Sequence, residues 1–373
     1  MAALASAVVA AGAATGVIAA GADDDGRTTA LPDTTASPVL EPLPAVPTPS
    51  ASPTASATVT PSPSPSRTAR RTPAPSASPK RSSPPAVSAG LYRHPQSQVL
   101  DWVGAHRDDP RRPLIESRIA AQPAAVWFPA YNPGAVTGQV RGVTAAAAAA
   151  GRTPVLVPYA IPDRDCGGAS EGGAPGLDAY DAWMADFAAG LGSGPVIVIL
   201  EPDAVALSDC LSAGQRAERF ASLARAGRTL HAANPQAKVY FDGGHSGWHS
   251  AAKQAAALRE AGAATSGDGI FTNVSNFHST ADETAYARRV LAALGGPPGL
   301  GAVIDTSRNG NGAPAAGEWC DPAGRALGRA PTTETGLAGI DAYLWVKLPG
   351  ESDGCKGSAG SFTPDYAYEL ATG

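Results

Sequence analysis

The chain has 373 residues, with 28 Lys and Arg against 33 Asp and Glu, for a formal net charge of −5. That mildly acidic balance argues against a nucleic-acid-binding protein. Four cysteines with no C-x-x-C pair argue against a zinc ribbon.

Residues 1–22 are dominated by Ala, Val and Gly and carry no charge. They read as a secretory signal ending in Ala20-Gly-Ala22, an A-x-A cleavage pattern followed by acidic Asp23. No Lys or Arg precedes the apolar run, which departs from that pattern. An uncleaved membrane or cell-wall anchor is the alternative. Residues 23–89 are rich in Pro, Ser, Thr and Ala, as in Pro61-Ser-Pro-Ser-Pro65. Such a segment buries too little apolar surface to fold and is expected to be a disordered stalk. Aromatic residues begin at Tyr92, so residues 90–373 remain for a single barrel-sized domain. The expected location is extracellular, free or tethered to the cell surface.

All four cysteines, Cys166, Cys210, Cys320 and Cys355, fall in that domain. An even count in an exported chain implies disulfides. Of the three pairings, Cys166–Cys210 with Cys320–Cys355 closes one local loop region each.

Seven apolar runs follow in order: Ala125–Phe128, Val155–Val157, Val196–Leu200, Val239–Phe241, Gly269–Phe271, Ala302–Ile304 and Tyr343–Val346. Between them lie Ala-rich segments with helical spacing at 138–150, 177–191, 214–232, 249–262 and 283–294. Gly151, Gly192 and Gly262 sit where helix C-termini want a left-handed residue. Strands alternating with helices predict an α/β fold with a parallel sheet closed into a barrel. The third run, mostly β-branched, reads as a strand buried on both faces and stops at Pro202 between Glu201 and Asp203. Acids delivered at a strand's C-terminal end suit a β/α enzyme, and Asp after Pro as a helix cap is the bland alternative.

The other strand ends are equally polar and aromatic. They carry Trp127 and Tyr131; Tyr159 and Asp165; Asp242, His245 and Trp248; Asn273 and Asn276; Asp305 and Arg308, then Trp319; and Lys347, Glu351 and Asp353. Carboxylates for proton transfer beside indole platforms suit a sugar substrate. His245 and His249 have the i, i+4 spacing of a helical zinc pair, but Gly247 lies between them and no third ligand is evident, so no metal or other cofactor is expected.

Tyr159…Asp163-Arg-Asp165-Cys166, Glu201-Pro-Asp203, Asp242-Gly-Gly-His245-Ser-Gly-Trp248, Asp305-Thr-Ser-Arg308-Asn-Gly-Asn-Gly312, Glu318-Trp319-Cys320 and Trp345-Val-Lys347-Leu-Pro-Gly-Glu351-Ser-Asp353-Gly354 together resemble glycoside hydrolase family 6. That family holds bacterial and fungal β-1,4-endoglucanases and cellobiohydrolases, and the resemblance covers residues 90–373. It implies a distorted, seven-stranded β/α barrel, the cysteine pairing chosen above, and hydrolysis with inversion. It also implies roles. Asp203 matches the general acid, and Asp165 the residue that raises the acid's pKa and helps the attacking water. Asp353 matches the carboxylate taken as base, with a water relay near Asp165 as the rival. An ion pair with Arg164 is the alternative use of Asp165. Several relatives carry a Ser six residues after the Asp165 position; here Glu171 stands there, after Ser170.

Lys347 and Glu351 match residues that bind sugar hydroxyls, and Tyr159 one that lies below the distorted sugar. Trp127, Trp248 and Trp319 read as stacking platforms. Asn276 is expected as a further sugar contact, His245 is expected to hydrogen-bond sugar or loop, and Arg308 is expected to pair with one of the acids. Asp242 resembles a ligand-contacting acid, with loop capping as the alternative. The expected partner is a β-1,4-glucan acted on by a monomer. Endo action is favoured by short disulfide-bearing loops; a cellobiohydrolase and a non-catalytic glucan-binding module are the rivals.

Overall fold

The computed structural model describes residues 90–373. The expectations for residues 1–22 and 23–89 lie outside the described residues.

After α1 (Gln98–Ala105) and α2 (Arg112–Ile115), which runs on into a π-helical turn at Glu116–Ala120, strands and helices alternate as far as the sixth strand, with two helices after the fourth, and the last strand follows the sixth with no helix between. They are β1 (Val126–Phe128), α3 (Val136–Ala149), β2 (Val155–Pro158), α4 (Leu177–Ala189), β3 (Val196–Leu200), α5 (Ala213–Ala233) and β4 (Ala237–Asp242). Then come α6 (Ala251–Glu260), α7 (Ala263–Ser266), β5 (Gly269–Thr272), α8 (Thr280–Leu294), β6 (Gly301–Asp305), β7 (Ile340–Leu344) and α9 (Pro364–Thr372). The seven strands form one parallel sheet in chain order. Val198 faces Val239 across β3 and β4, and Ile304 faces Tyr343 across β6 and β7.

The period-2 alternation of the strands sorts two cores. Leu156, Val198, Val239, Phe241, Ile270 and Ile304 point outward and pack under the helices with Trp183, Phe187, Leu223 and Val290. Val155, Val157, Ile197, Ile199, Tyr240, Phe271, Val303 and Leu344 point inward and fill the barrel. Serine caps set four helix starts: Ser97, Ser212, Ser250 and Ser279 accept from the N–H groups of Leu100, Gln215, Lys253 and Asp282. These caps explain why α6 begins at 251, later than its Ala-rich pattern, and α8 at 280, earlier than its pattern. Gly151, Gly192 and Gly262 all have positive φ, as helix ends require.

Two details differ from the sequence reading. The sheet is curled but does not close by strand pairing. Between its edges the Ala125 N–H donates to the Trp345 carbonyl at 2.9 Å, and the Trp127 indole N–H to the Val346 carbonyl at 2.7 Å. The last strand also sits earlier than its apolar run, at 340–344, with Trp345 and Val346 beyond it. The cause is Asp305, whose carboxylate accepts from the N–H groups of Val346 at 3.3 Å and Lys347 at 2.9 Å and so takes them out of the ladder. Both disulfides, Cys166–Cys210 and Cys320–Cys355, pair as expected.

Gly227 tests the outer layer. In an exposed helix interior, Gly→Ala stabilises by about 1 kcal/mol. Here a Cβ would meet the Ser266 carbonyl oxygen, the last residue of α7, at 2.2 Å. Overpacking of this kind costs about 1–3 kcal/mol. Gly227→Ala is expected to lower the urea midpoint, and an unchanged or raised midpoint would contradict the α5–α7 contact.

Candidate active site

The C-terminal ends of the strands surround a cleft of about 1070 Å³. Its walls include Trp127, Tyr159, Asp165, Asp203, His245, Trp248, Asn276, Trp319, Lys347, Glu351 and Asp353. These are eleven of the thirteen non-cysteine site residues named from the sequence; Asp242 and Arg308 are the other two.

The backbone turns sharply after β3. Glu201 and Asp203, on either side of Pro202, both take positive φ, at 48° and 70°. Non-glycine residues are held there only by their surroundings. The turn separates the two acids. Glu201 is fully buried, and its carboxylate accepts from the N–H groups of Ala160 and Ile161, tying β3 to the end of β2. Burial pushes it up to about 7, with those N–H groups pulling the other way. Asp203 faces the cleft and accepts a long hydrogen bond from the Tyr159 hydroxyl at 3.5 Å. Burial pushes its carboxyl up to about 8, helped by the negative charges of Asp242 and then Asp165. It therefore holds a proton at neutral pH. The sequence reading named Asp165 as the charge that does this; desolvation and Asp242 come first.

Asp242 does not reach the cleft. It is 2% exposed, and its carboxylate accepts from the N–H groups of Val205, Ala206 and Gly244. Its position is that of the loop-capping alternative, holding the chain after Asp203 against β4, and burial pushes its own carboxyl up while those N–H groups pull the other way.

Asp165 lies on a loop in which Asp163, Asp165 and Cys166 all have positive φ. Its Oδ2 accepts from the Ser170 N–H at 2.7 Å. Arg164 forms no ion pair with it. Instead the guanidinium donates to the carbonyls of Pro129, Tyr159 and Ser170, with its centre 4.5 Å from the Tyr159 ring centroid. Arg164 and the Cys166–Cys210 bridge thus fix the loop on both sides of Asp165.

Across the cleft, Asp353 stands among cations. Its Oδ2 accepts from Arg308 at 2.8 Å and its Oδ1 lies 3.0 Å from the Lys347 ammonium. Arg308 pairs with an acid, as expected, but it is fully buried under the cleft wall, also donates to the Ser275 carbonyl and the Tyr366 hydroxyl, and cannot touch a ligand. Glu351 accepts from the Gln98 amide at 2.8 Å. Burial pushes it up to about 7, with Lys347 and Gln98 opposing.

The aromatic residues divide by exposure. Trp319 is 57% exposed at the rim, whereas Trp127 is half-buried, edge-on to Tyr159 and anchored through its indole N–H. His245 lies between Trp248 and His278, stacked on the latter at 4.3 Å. Burial pushes its imidazole down to about 3, so it is neutral above that. His249 points away to the Ala206 carbonyl, so the two histidines do not converge. Asn276 lines the cleft and donates to the Val274 carbonyl.

Arg93, His94, Ser97 and Gln98 also line the cleft and were not anticipated. They precede the first strand, outside any strand-end motif. The only signal was their position after the first aromatic residue. Chemically, the cleft pairs a protonated carboxyl that can give a proton with carboxylates that can order or deprotonate a water.

Residues 90–372 match the family described as Glycosyl hydrolases family 6. Endoglucanase 1 of Streptomyces sp. (strain KSM-9) is 58% identical over 287 residues, 77% of this chain and 79% of that protein. Endoglucanase A of Thermobispora bispora is 52% identical over 287 residues, 77% of this chain but 62% of that protein, so the match spans less than two thirds of it. Among solved structures, the endoglucanase Cel6 from Mycobacterium tuberculosis, in complex with methyl-cellobiosyl-4-deoxy-4-thio-β-D-cellobioside, is similar with a TM-score of 0.70 at 42% identity. That similarity covers 78% of this chain and 99% of the other.

The raised carboxyls set a direction for stability against pH. Burial pushes the Asp203 carboxyl up to about 8 in the fold, against about 3.9 for an ordinary aspartate in the unfolded chain, so the native state holds the extra proton between those values. Its contribution is full below about pH 4 and is lost as pH rises to about 8. Asp203→Asn removes the charge. Its stability relative to wild type is expected to rise across that window, reaching on the order of 1 kcal/mol or more in urea unfolding. A difference that does not grow with pH would contradict the assignment.

Proposed function

The chain belongs to glycosyl hydrolases family 6, and on that premise we propose that it is an exported endo-β-1,4-glucanase that cleaves internal bonds of cellulose and soluble β-glucans with inversion. The observation that carries this reading is one cleft lined by Asp203, whose carboxyl burial pushes up to about 8, together with Asp165 and Asp353.

In this mechanism Asp203 gives its proton to the glycosidic oxygen as the bond to the anomeric carbon breaks. The site's burial, and the charges of Asp242 and Asp165, keep that proton available at neutral pH. A water enters from the opposite face of the sugar, which in inverting enzymes requires carboxyl groups ~6.5–9.5 Å apart. Asp353 takes the water's proton, or the Asp165 loop relays it. Lys347 and Glu351 hold sugar hydroxyls beside the reacting ring, and Tyr159 lies beneath it. Trp319, Trp248 and Trp127 offer apolar faces along the chain, with His245 and Asn276 as polar contacts.

Endo action is supported by the relatives named endoglucanases at 58% and 52% identity. Export is supported by two disulfides, which persist in oxidising compartments.

The test is viscosity loss together with reducing-end release on carboxymethylcellulose. Wild type is expected to drop the viscosity quickly with few new ends, and Asp203→Ala to lose about a hundredfold to ten-thousandfold in rate while still binding the polymer. Slow viscosity loss with mainly cellobiose released would move the reading to a cellobiohydrolase. A folded wild type that binds glucan without cleaving it would reduce the chain to a binding module.

A further inference from the structure

We infer that Asp321, a buried carboxylate with no place in the strand-end motifs, is a positioning residue that sets Asp353 and Lys347 in the cleft; the inference rests on the function proposed above. Asp321 is 4% exposed, has a φ of 45°, and follows Cys320. Its two oxygens gather the loop that carries Asp353. Oδ1 accepts from the Asp353 N–H at 2.8 Å. Oδ2 accepts from the Ser352 hydroxyl at 2.6 Å and from the N–H groups of Cys355 and Lys356, both at 3.0 Å. Successive backbone N–H groups converging on one anion make a nest, here filled by the protein's own carboxylate. In return, the Asp321 N–H donates to the Asp353 carboxylate at 3.2 Å.

The contacts reach the cleft in one step. Lys347 donates to the Ser352 carbonyl at 3.3 Å and lies 3.0 Å from Asp353. Arg308, whose guanidinium holds Asp353, is also 3.8 Å from Asp321. The Cys320–Cys355 bridge ties the same two segments covalently. That bridge fixes their distance but leaves the rotation of the turn free, and the Asp353 side chain depends on that rotation. The nest supplies it.

The chemistry requires a carboxylate. Asn offers one acceptor oxygen. Whichever way its amide turns, an NH₂ group would face either the Asp353 N–H or the cluster of Ser352, Cys355 and Lys356 donors. Asp321→Asn therefore loosens the turn, while the disulfide keeps the segments together.

A double-mutant cycle on the full chain separates positioning from simple stabilisation, because a residue that acts through Asp353 has nothing to act through once Asp353 is changed. Cellotetraose hydrolysis is measured for wild type, Asp321→Asn, Asp353→Asn and the double variant. Asp321→Asn is expected to lower kcat on the order of tenfold to a hundredfold, with KM changed less than about threefold. In the Asp353→Asn background the same change is expected to cost less than about twofold. Should Asp321→Asn not fold, Ser352→Ala, which removes one donor of the nest, is read in the same cycle with a smaller loss in the same direction. Equal losses in both backgrounds, or none in the first, would overturn the inference and leave the proposed function standing. A wild type inert on cellotetraose would overturn both.

Discussion

The cleft depends on one carboxyl keeping its proton. Asp203 sits at the end of a strand buried on both faces, in a turn that forces positive φ on two non-glycine residues. Nothing cationic is placed against it: among the described residues Asp203 forms no ion pair, and its one side-chain hydrogen bond is the long one from Tyr159. Burial disfavours its charged form, and the neighbouring Asp242, whose own carboxyl burial also raises against the N–H groups that hold it, pushes in the same direction. Asp242 can bear that role because three backbone N–H groups hold it. One buried acid thereby shapes the loop after Asp203 and biases the proton on Asp203 itself.

The opposite side is built by the reverse rule. Asp353 lies between Arg308 and Lys347, and its loop is wound around a second buried carboxylate, Asp321. Each charge there has a partner, as buried charges need. The cleft thus has one acid starved of cations and one acid supplied with two, so its two sides differ in their charged surroundings. Acid–base chemistry needs such a difference, since one group must give a proton while another receives one. The disulfides hold the two sides at their loops, Cys166 beside Asp165 and Cys355 two residues after Asp353.

Much of this was legible in the sequence because it is local. Each of the seven apolar runs overlaps a strand, and eleven of the thirteen non-cysteine site residues read from the sequence line the cleft. What escaped was set by distant partners. Nothing near residue 343 indicates that Asp305 draws the N–H groups of Val346 and Lys347 out of the last strand. Glu201 and Asp203 are two residues apart and alike in sequence, and only the turn sends one into the core and the other into the cleft. Arg308 reads as a cleft residue paired with one of the acids, and the pairing holds, yet the side chain is fully buried against Phe277 and Asp353. The terminal helices α1 and α9 were missed because their apolar residues pack with one another and with Trp345, across almost the whole domain.

The most direct measurement is the titration of Asp203 itself, by carbon-13 NMR of aspartate carboxyl groups in the full chain, with Asp203→Asn identifying the resonance. The account predicts a midpoint near 8. A midpoint near the ordinary aspartate value of about 4 would mean that burial and Asp242 do not hold the proton, and would remove the basis for Asp203 as the acid.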